Sequence, residues 1–588
     1  MFEKVLVANR GEIAIRVMRA LEEMGIGSVG VYSEADREAP HVAEADEAFL
    51  LGPAVPAESY LSVERLLETA AESGAEAIHP GYGFLAENAG FAAACEDAGV
   101  VFIGPPASAI EAMGSKTRAR ELMAAAGVPI VPGTTAPVES VADAEVAAAE
   151  IGYPVACKAA GGGGGKGFRV AMSADELADA FEGAAREGEK FFSDPTVYLE
   201  RYLEDPRHVE VQILADAHGH VIHLGERDCS IQRRHQKLIE EAPAPHVDEA
   251  MRERIGRIAT DAAAAVGYRS AGTVEGLQDG EDYFFLEMNT RVQVEHCVTE
   301  MATGIDIVRE QVLIADGREL SVAQEDVELH GHAIECRINA EAAHKGFAPA
   351  PGTITSYREP AGPGVRVDSG VRDGSEVTPL YDPMVAKLIV WDTDRERATA
   401  RMLRALGEYE VGGLVTLLPF HRAILATDQW ARAETCRDLV GDKEWLRSLA
   451  PADPSSARAS DDEETPTEVR DYKVEVDGRL HSVKVIGAAS APGASAAAAP
   501  RRPPRRERSA ASTGGGGSSE MLTSPIQGSV LKVAVSQGDE VEEGALICVV
   551  EAMKMENEIN AHRAGKVTEL AVAEGGSVAA GDTVARIE

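Results

Sequence analysis

A run of five successive glycines is the clearest indication of phosphate chemistry in this sequence. The run occupies residues 161–165, with Lys158 shortly before it and Lys166 directly after it. Backbone without Cβ atoms can surround phosphate oxygens with N–H groups, and the lysines would neutralise their charge. It is not a Walker A loop, because Ala160 holds the first glycine position and Gly167 replaces the Ser or Thr. A flexible linker is the alternative, but strand patterns on both sides favour a hairpin loop that covers phosphates.

Five polar side chains alternate along the chain after an apolar strand pattern at residues 283–286. They are Glu287, Asn289, Arg291, Gln293 and Glu295. An extended chain would place all five on one face. Glu287, Asn289 and the earlier Glu275 supply hard oxygen ligands suited to Mg²⁺, while Arg291 offers a planar fork for a small oxyanion. Glu295 is a candidate base. A solvated sheet face is the alternative, but both signs of charge beside a phosphate loop favour a site.

Lys554 lies between two methionines at the midpoint of an internal repeat. Glycine and apolar positions between residues 528 and 547 recur 37 residues later, between 565 and 584. Two such sets of short strands predict a small all-β unit with pseudo-twofold symmetry, and Lys554 falls where a hairpin would connect its halves. The preceding residues 488–519 are rich in Ala, Pro, Arg, Gly and Ser, which predicts a disordered tether. An ordinary surface lysine is the alternative, but this position favours a modified one.

The elements at the amino-terminal end alternate between strand and helix. Strand patterns at 4–8, 28–32 and 77–79 and a helix from about Glu12 to Met24 predict a doubly wound parallel sheet. Residues 81–86 formally fit a dinucleotide-binding glycine pattern, but a tight turn between strand and helix is the better interpretation. Further along, a strand is predicted at 384–390 and a helix at 394–406.

Composition restricts the class of function. The formal net charge of −40 argues against a nucleic-acid partner or an anionic membrane surface, and any anion site must gather its cations locally. The seven cysteines form no CxxC pair, so a disulfide framework or zinc site is not expected and a reducing cytoplasm is the simpler location. We find no apolar run long enough to cross a bilayer.

Taken together, these motifs resemble two families of domain. Residues 1–449 look like biotin carboxylase, an ATP-grasp enzyme, and Ala552-Met553-Lys554-Met555 resembles the site of a biotin carboxyl carrier module. The stretches that carry the carboxylase resemblance are residues 8–14, 79–88, 113–116, 158–167, 226–237, 287–295, 335–341 and 381–384. The whole chain is therefore similar to the α subunit of an acyl-CoA carboxylase. One departure is Gly276, where the family often has an aromatic residue, and looser packing is expected there.

The resemblance implies α/β and α+β domains in a set order. They are an amino-terminal doubly wound domain at 1–113, an ATP-grasp domain at 114–320, a carboxylase C-terminal domain at 329–449, a linker at 450–519 with a short docking hairpin at 471–486, and a biotinyl domain, a flattened β-barrel, at 520–588.

The resemblance also assigns residues to roles. The ATP-binding set would be Lys116, Lys158, Gly163, Gly164, Gly165, Lys166, Glu200, Leu203, His208, Gln232 and His235. Glu275, Glu287 and Asn289 would bind Mg²⁺ or Mn²⁺. Bicarbonate would be held by Lys237, Arg291, Gln293 and Val294 and deprotonated by Glu295. Arg337 would stabilise the biotin enolate, and Lys554 would carry biotin.

The implied reaction converts bicarbonate and ATP to ADP and carboxyphosphate, which yields CO₂ for biotin in a closed site. The implied partners are a biotin protein ligase, a separate carboxyltransferase β subunit, and other copies of the chain in a carboxylase homodimer or larger α/β assembly. Two alternatives stay open. One is the carboxylase component of a two-subunit pyruvate carboxylase. The other is a biotin carrier or scaffold with an inactive ATP-grasp domain.

Overall fold

The computed structural model describes residues 1–114, 116–134, 136–159, 167–192, 194–450, 467–476, 479–488, 521–524, 528–542, 544–552, 555–573, 576–578 and 582–588. The chain divides into two compact units, Met1–Leu449 and Ala450–Glu588. Within the described residues, no helix combines the length and hydrophobicity that a membrane crossing requires.

The amino-terminal part of the first unit is a parallel sheet flanked by helices. Its elements are β1 (Lys4–Val7), α1 (Gly11–Glu23), β2 (Gly27–Ser33), α2 (Pro40–Glu44), β3 (Glu47–Gly52), α3 (Val63–Ser73), β4 (Ala77–His79), α4 (Ala89–Asp97), β5 (Val101–Phe102) and α5 (Ala107–Gly114). The strand order β3-β2-β1-β4-β5 confirms the predicted doubly wound sheet. Local sequence sets the boundaries: Ser62 caps α3 by accepting from the Arg65 N–H, and Gly74 ends it at φ +69°. Residues 81–86 form turns, as expected, and α4 begins only at Ala89.

A small antiparallel sheet follows. Its elements are α6 (Lys116–Ala125), α7 (Val141–Ile151), β6 (Val155–Ala159), β7 (Phe168–Ala171), α8 (Ala174–Phe192) and β8 (Val197–Arg201), with strand order β7-β6-β8. Lys158 pairs with Phe168 on one side and Tyr198 on the other. The glycine run thus connects two antiparallel neighbours, as a hairpin loop must. Residues 160–166 themselves lie outside the described residues.

An eight-stranded antiparallel sheet forms the centre of the first unit. The elements of this region are β9 (Arg207–Ala215), β10 (Val221–Arg233), β11 (Gln236–Ala242), α9 (Glu249–Ala265), β12 (Ser270–Asp279), β13 (Asp282–Asn289), α10 (His296–Thr303), α11 (Ile307–Ala315), β14 (His332–Asn339), β15 (Glu341–Ala342), β16 (Ala348–Pro349), β17 (Gly352–Thr353), β18 (Ser356–Arg358), β19 (Val365–Ser369), β20 (Glu376–Val377), β21 (Met384–Asp392), α12 (Arg395–Glu408), β22 (Glu410–Gly412), α13 (Leu418–Leu425), α14 (Asp428–Ala431), α15 (Arg437–Gly441) and α16 (Lys443–Ser448).

The sheet order is β13-β12-β9-β10-β11-β14-β21-β19. The pairing of β11 with β14 continues one sheet from the second predicted domain into the third. Side chains from distant parts of the sequence therefore meet on neighbouring strands.

The predicted extended face at 287–295 is wrong beyond Asn289. Strand β13 ends at Asn289, and α10 begins at His296. Glu295 has a turn-like backbone at φ −83° and ψ 8°, and the His296 N–H donates to the Gln293 carbonyl. The helix start bends the chain here. Arg291, Gln293 and Glu295 consequently point in directions that a strand would not give them.

A hairpin is the first element of the second unit that the structure describes. Strands β23 (Thr467–Val476) and β24 (Arg479–Ala488) pair antiparallel, with Val476 opposite Arg479. These strands are longer than the predicted docking hairpin at 471–486, whose turn residues Asp477 and Gly478 lie outside the described residues. The predicted tether at 488–519 is wrong at its first residue, because Ala488 is the last residue of β24, and residues 489–519 lie outside the described residues.

The remaining strands of this unit form two four-stranded sheets. They are β25 (Met521–Thr523), β26 (Gly528–Val533), β27 (Glu540–Val541), β28 (Leu546–Ala552), β29 (Met555–Asn560), β30 (Gly565–Leu570), β31 (Ser577–Val578) and β32 (Thr583–Ile587). The orders are β25-β32-β30-β27 and β29-β28-β26-β31, so strands 37 residues apart occupy equivalent places. This confirms the predicted pseudo-twofold repeat. Ala552 pairs with Met555, while Met553 and Lys554 between them lie outside the described residues.

Candidate functional site

Lys237 lies at the centre of three buried carboxylates. Its ammonium donates to Glu210, to Glu275 Oε1 at 2.7 Å and to Glu295 Oε1 at 2.6 Å. The strand register produces this cluster, because Glu210 on β9 pairs directly with Glu275 on β12. Although burial opposes its charge, the carboxylates raise the pKa of Lys237 well above its usual range. The structure thus brings Lys237, Glu275 and Glu295 together, three residues that the sequence predicts as a site.

Glu295 lies between two cations. Its second oxygen accepts from Arg337 Nη2 at 2.8 Å, and Arg337 Nε donates to Glu240 Oε1 at 2.6 Å. Burial favours the neutral acid, but Lys237 and Arg337 outweigh it and lower the pKa of Glu295. Glu295 is therefore a charged carboxylate that can accept a proton once an anionic ligand draws a cation away. Burial raises the pKa of Glu240 to about 7, despite Arg337.

Arg227 is a residue of the site that the sequence analysis did not assign. Its side chain is fully buried and donates to five acceptors around it: Glu210 at 2.6 Å, Gln212 at 2.7 Å, Thr299 at 3.0 Å, Thr273 at 3.2 Å and Gln293 at 2.8 Å. Arg227 thereby fixes both a carboxylate and an amide of the Lys237 cluster. Arg227 lies within eight successive buried positions of β10, and a buried guanidinium requires partners.

The predicted bicarbonate residues separate into two groups. Gln293 Nε2 donates to Glu275 Oε1 at 2.7 Å and so belongs to the Lys237 cluster. Arg291 instead donates to Glu87 at 2.9 Å and to Asn289 at 3.0 Å. Because these acceptors lie outside the Lys237 cluster, the predicted role of Arg291 requires that it exchange Glu87 for the anion.

Lys387 is a second residue that the sequence analysis did not assign. It is fully buried on β21 and donates to the Val294 carbonyl at 2.9 Å and to Cys297 Sγ at 3.2 Å. Glu12 lies 3.4 Å from its ammonium. Burial acts against its charge, yet the surrounding acidic groups raise the pKa of Lys387. This lysine holds the backbone of Val294, a predicted bicarbonate ligand, in place.

The predicted metal ligands lie side by side on two strands. Glu275 pairs directly with Glu287 across β12 and β13, and Asn289 pairs with Thr273. Carboxylate and amide oxygens are the donors that Mg²⁺ prefers, so this set fits the ion. His208 Nε2 lies 3.1 Å from Glu275 Oε2. The space beside Gly276 is filled by the Tyr283 ring, which a side chain at position 276 would overlap. The expectation of looser packing is therefore wrong.

The predicted nucleotide residues are only partly assembled. Lys158 Nζ bonds Glu200 at 2.6 Å, and Leu203 packs in a small apolar cluster with Val131 and Phe284. Gln232 and His235 lie at the tip of the β10–β11 hairpin, where His235 is exposed and has φ +67°. The side chain of Lys116 lies outside the described residues, as do Gly163, Gly164, Gly165 and Lys166.

Comparison with known families agrees with this geometry. The chain matches "Biotin carboxylase, N-terminal domain" over residues 1–110 and "Carbamoyl-phosphate synthase L chain, ATP binding domain" over 115–323. It matches "Biotin carboxylase C-terminal domain" over 335–441 and "Biotin-requiring enzyme" over 520–587.

Three similar proteins illustrate the relationship. The biotin-dependent acyl-coenzyme A carboxylase alpha3 subunit of Mycobacterium leprae is 46% identical over 602 residues, covering 100% of this chain and 98% of the relative. A pyruvate carboxylase subunit from Methanothermobacter thermautotrophicus is 55% identical over 434 residues, covering 74% and 88%. The biotin carboxylase domain dimer of Hydrogenobacter thermophilus 2-oxoglutarate carboxylase, solved with MgADP, ADP and bicarbonate, is 49% identical with a TM-score of 0.70, covering 77% and 100%. The chain therefore belongs to the biotin carboxylase family and carries a biotin-type carrier domain in the same polypeptide.

Proposed function

We propose that this chain uses ATP and bicarbonate to carboxylate biotin held on its own Lys554. The observation that carries the proposal is Glu295, whose two oxygens bond Lys237 and Arg337 in a buried cluster. A carboxylate held between two cations can receive the bicarbonate proton, while the cations hold the resulting anion. The inactive-scaffold alternative lacks support, because a scaffold has no need for this costly arrangement of buried charges.

The proposed role of each side chain in the site follows from its charge. Bicarbonate would be held by Lys237, Gln293 and Val294, and also by Arg291 once Arg291 releases Glu87. Arg337 is placed to stabilise negative charge on the biotin that approaches Glu295. Arg227 and Lys387 act as positioning residues, because they bond Gln293 and the Val294 carbonyl.

The nucleotide would be held by the residues predicted from sequence. Its phosphates would be held by Lys116, Lys158 and the glycine run with Lys166, and its adenine would contact Glu200 and Leu203. The nucleotide site would also be lined by His208, Gln232 and His235. Glu275, Glu287 and Asn289 would hold Mg²⁺, which when bound offsets the charge on the phosphate oxygens. The solved relative that contains MgADP and bicarbonate supports the binding of a nucleotide with Mg²⁺ and of bicarbonate by this chain.

We place the chain in an acyl-CoA carboxylase, as the subunit that supplies carboxylated biotin to a separate carboxyltransferase. The support is the full-length similarity to an acyl-CoA carboxylase α subunit, which includes the carrier region. The 55% identity to a pyruvate carboxylase subunit over 434 residues keeps that enzyme as the second candidate. A biotin protein ligase would modify Lys554, and the dimeric relative supports a carboxylase homodimer. Seven free, buried cysteines suit a reducing cytoplasm.

Transfer of labelled carbon tests the acceptor. The biotinylated chain would be incubated with ATP, Mg²⁺, labelled bicarbonate and an acyl-CoA carboxyltransferase, and then given acetyl-CoA, propionyl-CoA or pyruvate. We expect label in an acyl-CoA product only when the carboxyltransferase is present. Label in pyruvate with a pyruvate-specific transferase, and none in acyl-CoA, would favour the second candidate. Acyl-CoA carboxylation without any transferase would contradict the proposal.

A further inference from the structure

Glu335 is a fully buried acid that the proposed function does not use. It lies on β14, opposite Glu240 on β11 and Ile389 on β21. Both of its carboxyl oxygens are buried and have no hydrogen-bond partner among the described residues, and the same holds for Glu240 Oε2. A charged carboxylate in this state would lose its hydration without any compensating bond, and groups buried in that way take up a proton instead. Glu335 is therefore a neutral acid.

The cations near Glu335 are bonded to other groups. Arg337 donates to Glu240 and Glu295, and Lys387 donates to a backbone carbonyl and a thiol. Burial raises the pKa of Glu335 well above its usual range, although Lys387 and Arg337 act in the opposite direction. The absence of bonding partners among the described residues and the electrostatics of the site thus agree that Glu335 carries a proton.

The strand register places an acceptor for this proton beside Glu335. Directly paired residues of neighbouring strands have their side chains on one face, with Cβ atoms about 4.5–5.5 Å apart. Glu240 is the residue paired with Glu335 on β11, and its Oε1 accepts from Arg337 while its Oε2 is unpartnered within the described residues. Ile389, paired with Glu335 on the other side, has no side-chain acceptor. Two carboxyl groups held this close are stable when a single proton lies between them.

We propose that Glu240 and Glu335 share one proton and that this acid pair positions Arg337. Glu335 donates to Glu240 Oε2, which fixes the plane of the Glu240 carboxylate and directs Oε1 at Arg337 Nε. Both acids act through Arg337 and are positioning residues. Their importance for biotin rests on the proposed function: once Glu295 accepts the bicarbonate proton, it holds Arg337 less strongly, and Glu240 remains as the carboxylate that anchors the guanidinium.

Infrared difference spectroscopy on the full chain tests the shared proton without turnover. A protonated carboxyl group gives a carbonyl band that a carboxylate lacks. The test variant is Glu335→Gln, which has the same shape and an amide that can still donate to Glu240. The matched control is Glu341→Gln, because Glu341 is also fully buried but burial raises its pKa only to about 7. At about pH 8.5, a group with that pKa is almost fully ionised.

We expect Glu335→Gln to lose, at this pH, the band of one carboxyl group that the wild type shows, and Glu341→Gln to retain it. Glu240→Gln should shift the band, because Glu335 then bonds a neutral amide instead of a carboxylate. The proposal would be overturned if Glu335→Gln and the wild type had the same band, if both glutamine variants of the matched pair lost it equally, or if Glu240→Gln left it unshifted.

Exchange of the Arg337 Nε–H with water, followed by NMR on the full chain with labelled arginine, tests the positioning. The signal is identified by its loss in Arg337→Gln. Glu335→Gln should change the exchange rate by no more than about threefold, whereas Glu335→Leu, which is close in volume but removes the donor to Glu240, should raise it at least about tenfold. Equal rates in the two variants would overturn the positioning role. Neither measurement uses ATP or biotin, so a failure of the proposed function would leave both results unchanged.

Discussion

Replacement of Arg227 by lysine provides a quantitative test of the buried polar cluster. Arg227 has no exposed surface and donates to five acceptors, including Glu210 and Gln293. The matched control is Arg252→Lys. Arg252 also makes a two-pronged bond to a glutamate, Glu226, but its side chain is 25% exposed.

The expected loss of stability follows from the number of donors. An ammonium group has three N–H donors and cannot reproduce the planar fork, so at least two of the five bonds are lost. At about 1.5–3 kcal/mol for each bond that involves a charged group, the loss is roughly 3–6 kcal/mol. In the control, Glu226 is buried but Arg252 is partly exposed, and a lysine there can still donate to Glu226. About one bond is then lost, roughly 1.5–3 kcal/mol.

Urea unfolding followed by tryptophan fluorescence measures the difference. All three tryptophans, Trp391, Trp430 and Trp445, lie in the unit that contains Arg227, so the signal reports on that unit. Arg227→Lys should move the midpoint further than Arg252→Lys. Equal shifts for the two variants would refute the reasoning that Arg227 holds the cluster together.

Three more predictions concern other parts of the first unit. Lys387→Met removes the donor to the Val294 carbonyl. It should raise the KM for bicarbonate at least about tenfold, while the KM for ATP stays within about twofold, and Lys387→Arg should partly restore the KM for bicarbonate. Equal changes in both KM values would contradict this prediction. Burial lowers the pKa of His421 to about 4, so its contribution to stability is present above about pH 6.5 and lost as pH falls through 4. Between about pH 6.5 and 4, the free energy of unfolding should therefore fall less for His421→Gln than for the wild type, by up to about 3 kcal/mol. An unchanged pH profile would refute this prediction. Arg337→Gln should lower biotin carboxylation about 100-fold while calorimetry shows unchanged ADP binding; loss of both would indicate misfolding instead.

Local sequence patterns predict the regular elements well. The strand at 77–79 has the bounds that its sequence predicts, and the 37-residue repeat predicts the paired sheets of the carrier domain. Both depend on side-chain alternation and glycine turns, which act over a few residues. The helix that begins at His296 could not be anticipated, because the alternation of Arg291, Gln293 and Glu295 is also what an extended strand shows.

The partners within the site depend on contacts between distant parts of the chain. Glu210 on β9 meets Lys237 on β11 across the intervening strand β10, and Arg337 reaches Glu240 because β14 pairs with β11. Arg291 donates to Glu87, which lies 204 residues earlier in the sequence. Such long-range register is set by the packing of the whole sheet. The roles of Arg227 and Lys387 therefore become visible only in the folded structure.

Bicarbonate-dependent hydrolysis of ATP with free biotin should be measured first, using the wild type, Glu295→Gln and Lys554→Ala. We expect biotin to stimulate hydrolysis by the wild type. Glu295→Gln should lose this stimulated rate by at least about 100-fold, because proton transfer fails, whereas Lys554→Ala should retain it because free biotin replaces the carrier. A wild type that biotin does not stimulate, or a Glu295→Gln variant with full activity, would contradict the assignment of Glu295 and of biotin carboxylation to this chain.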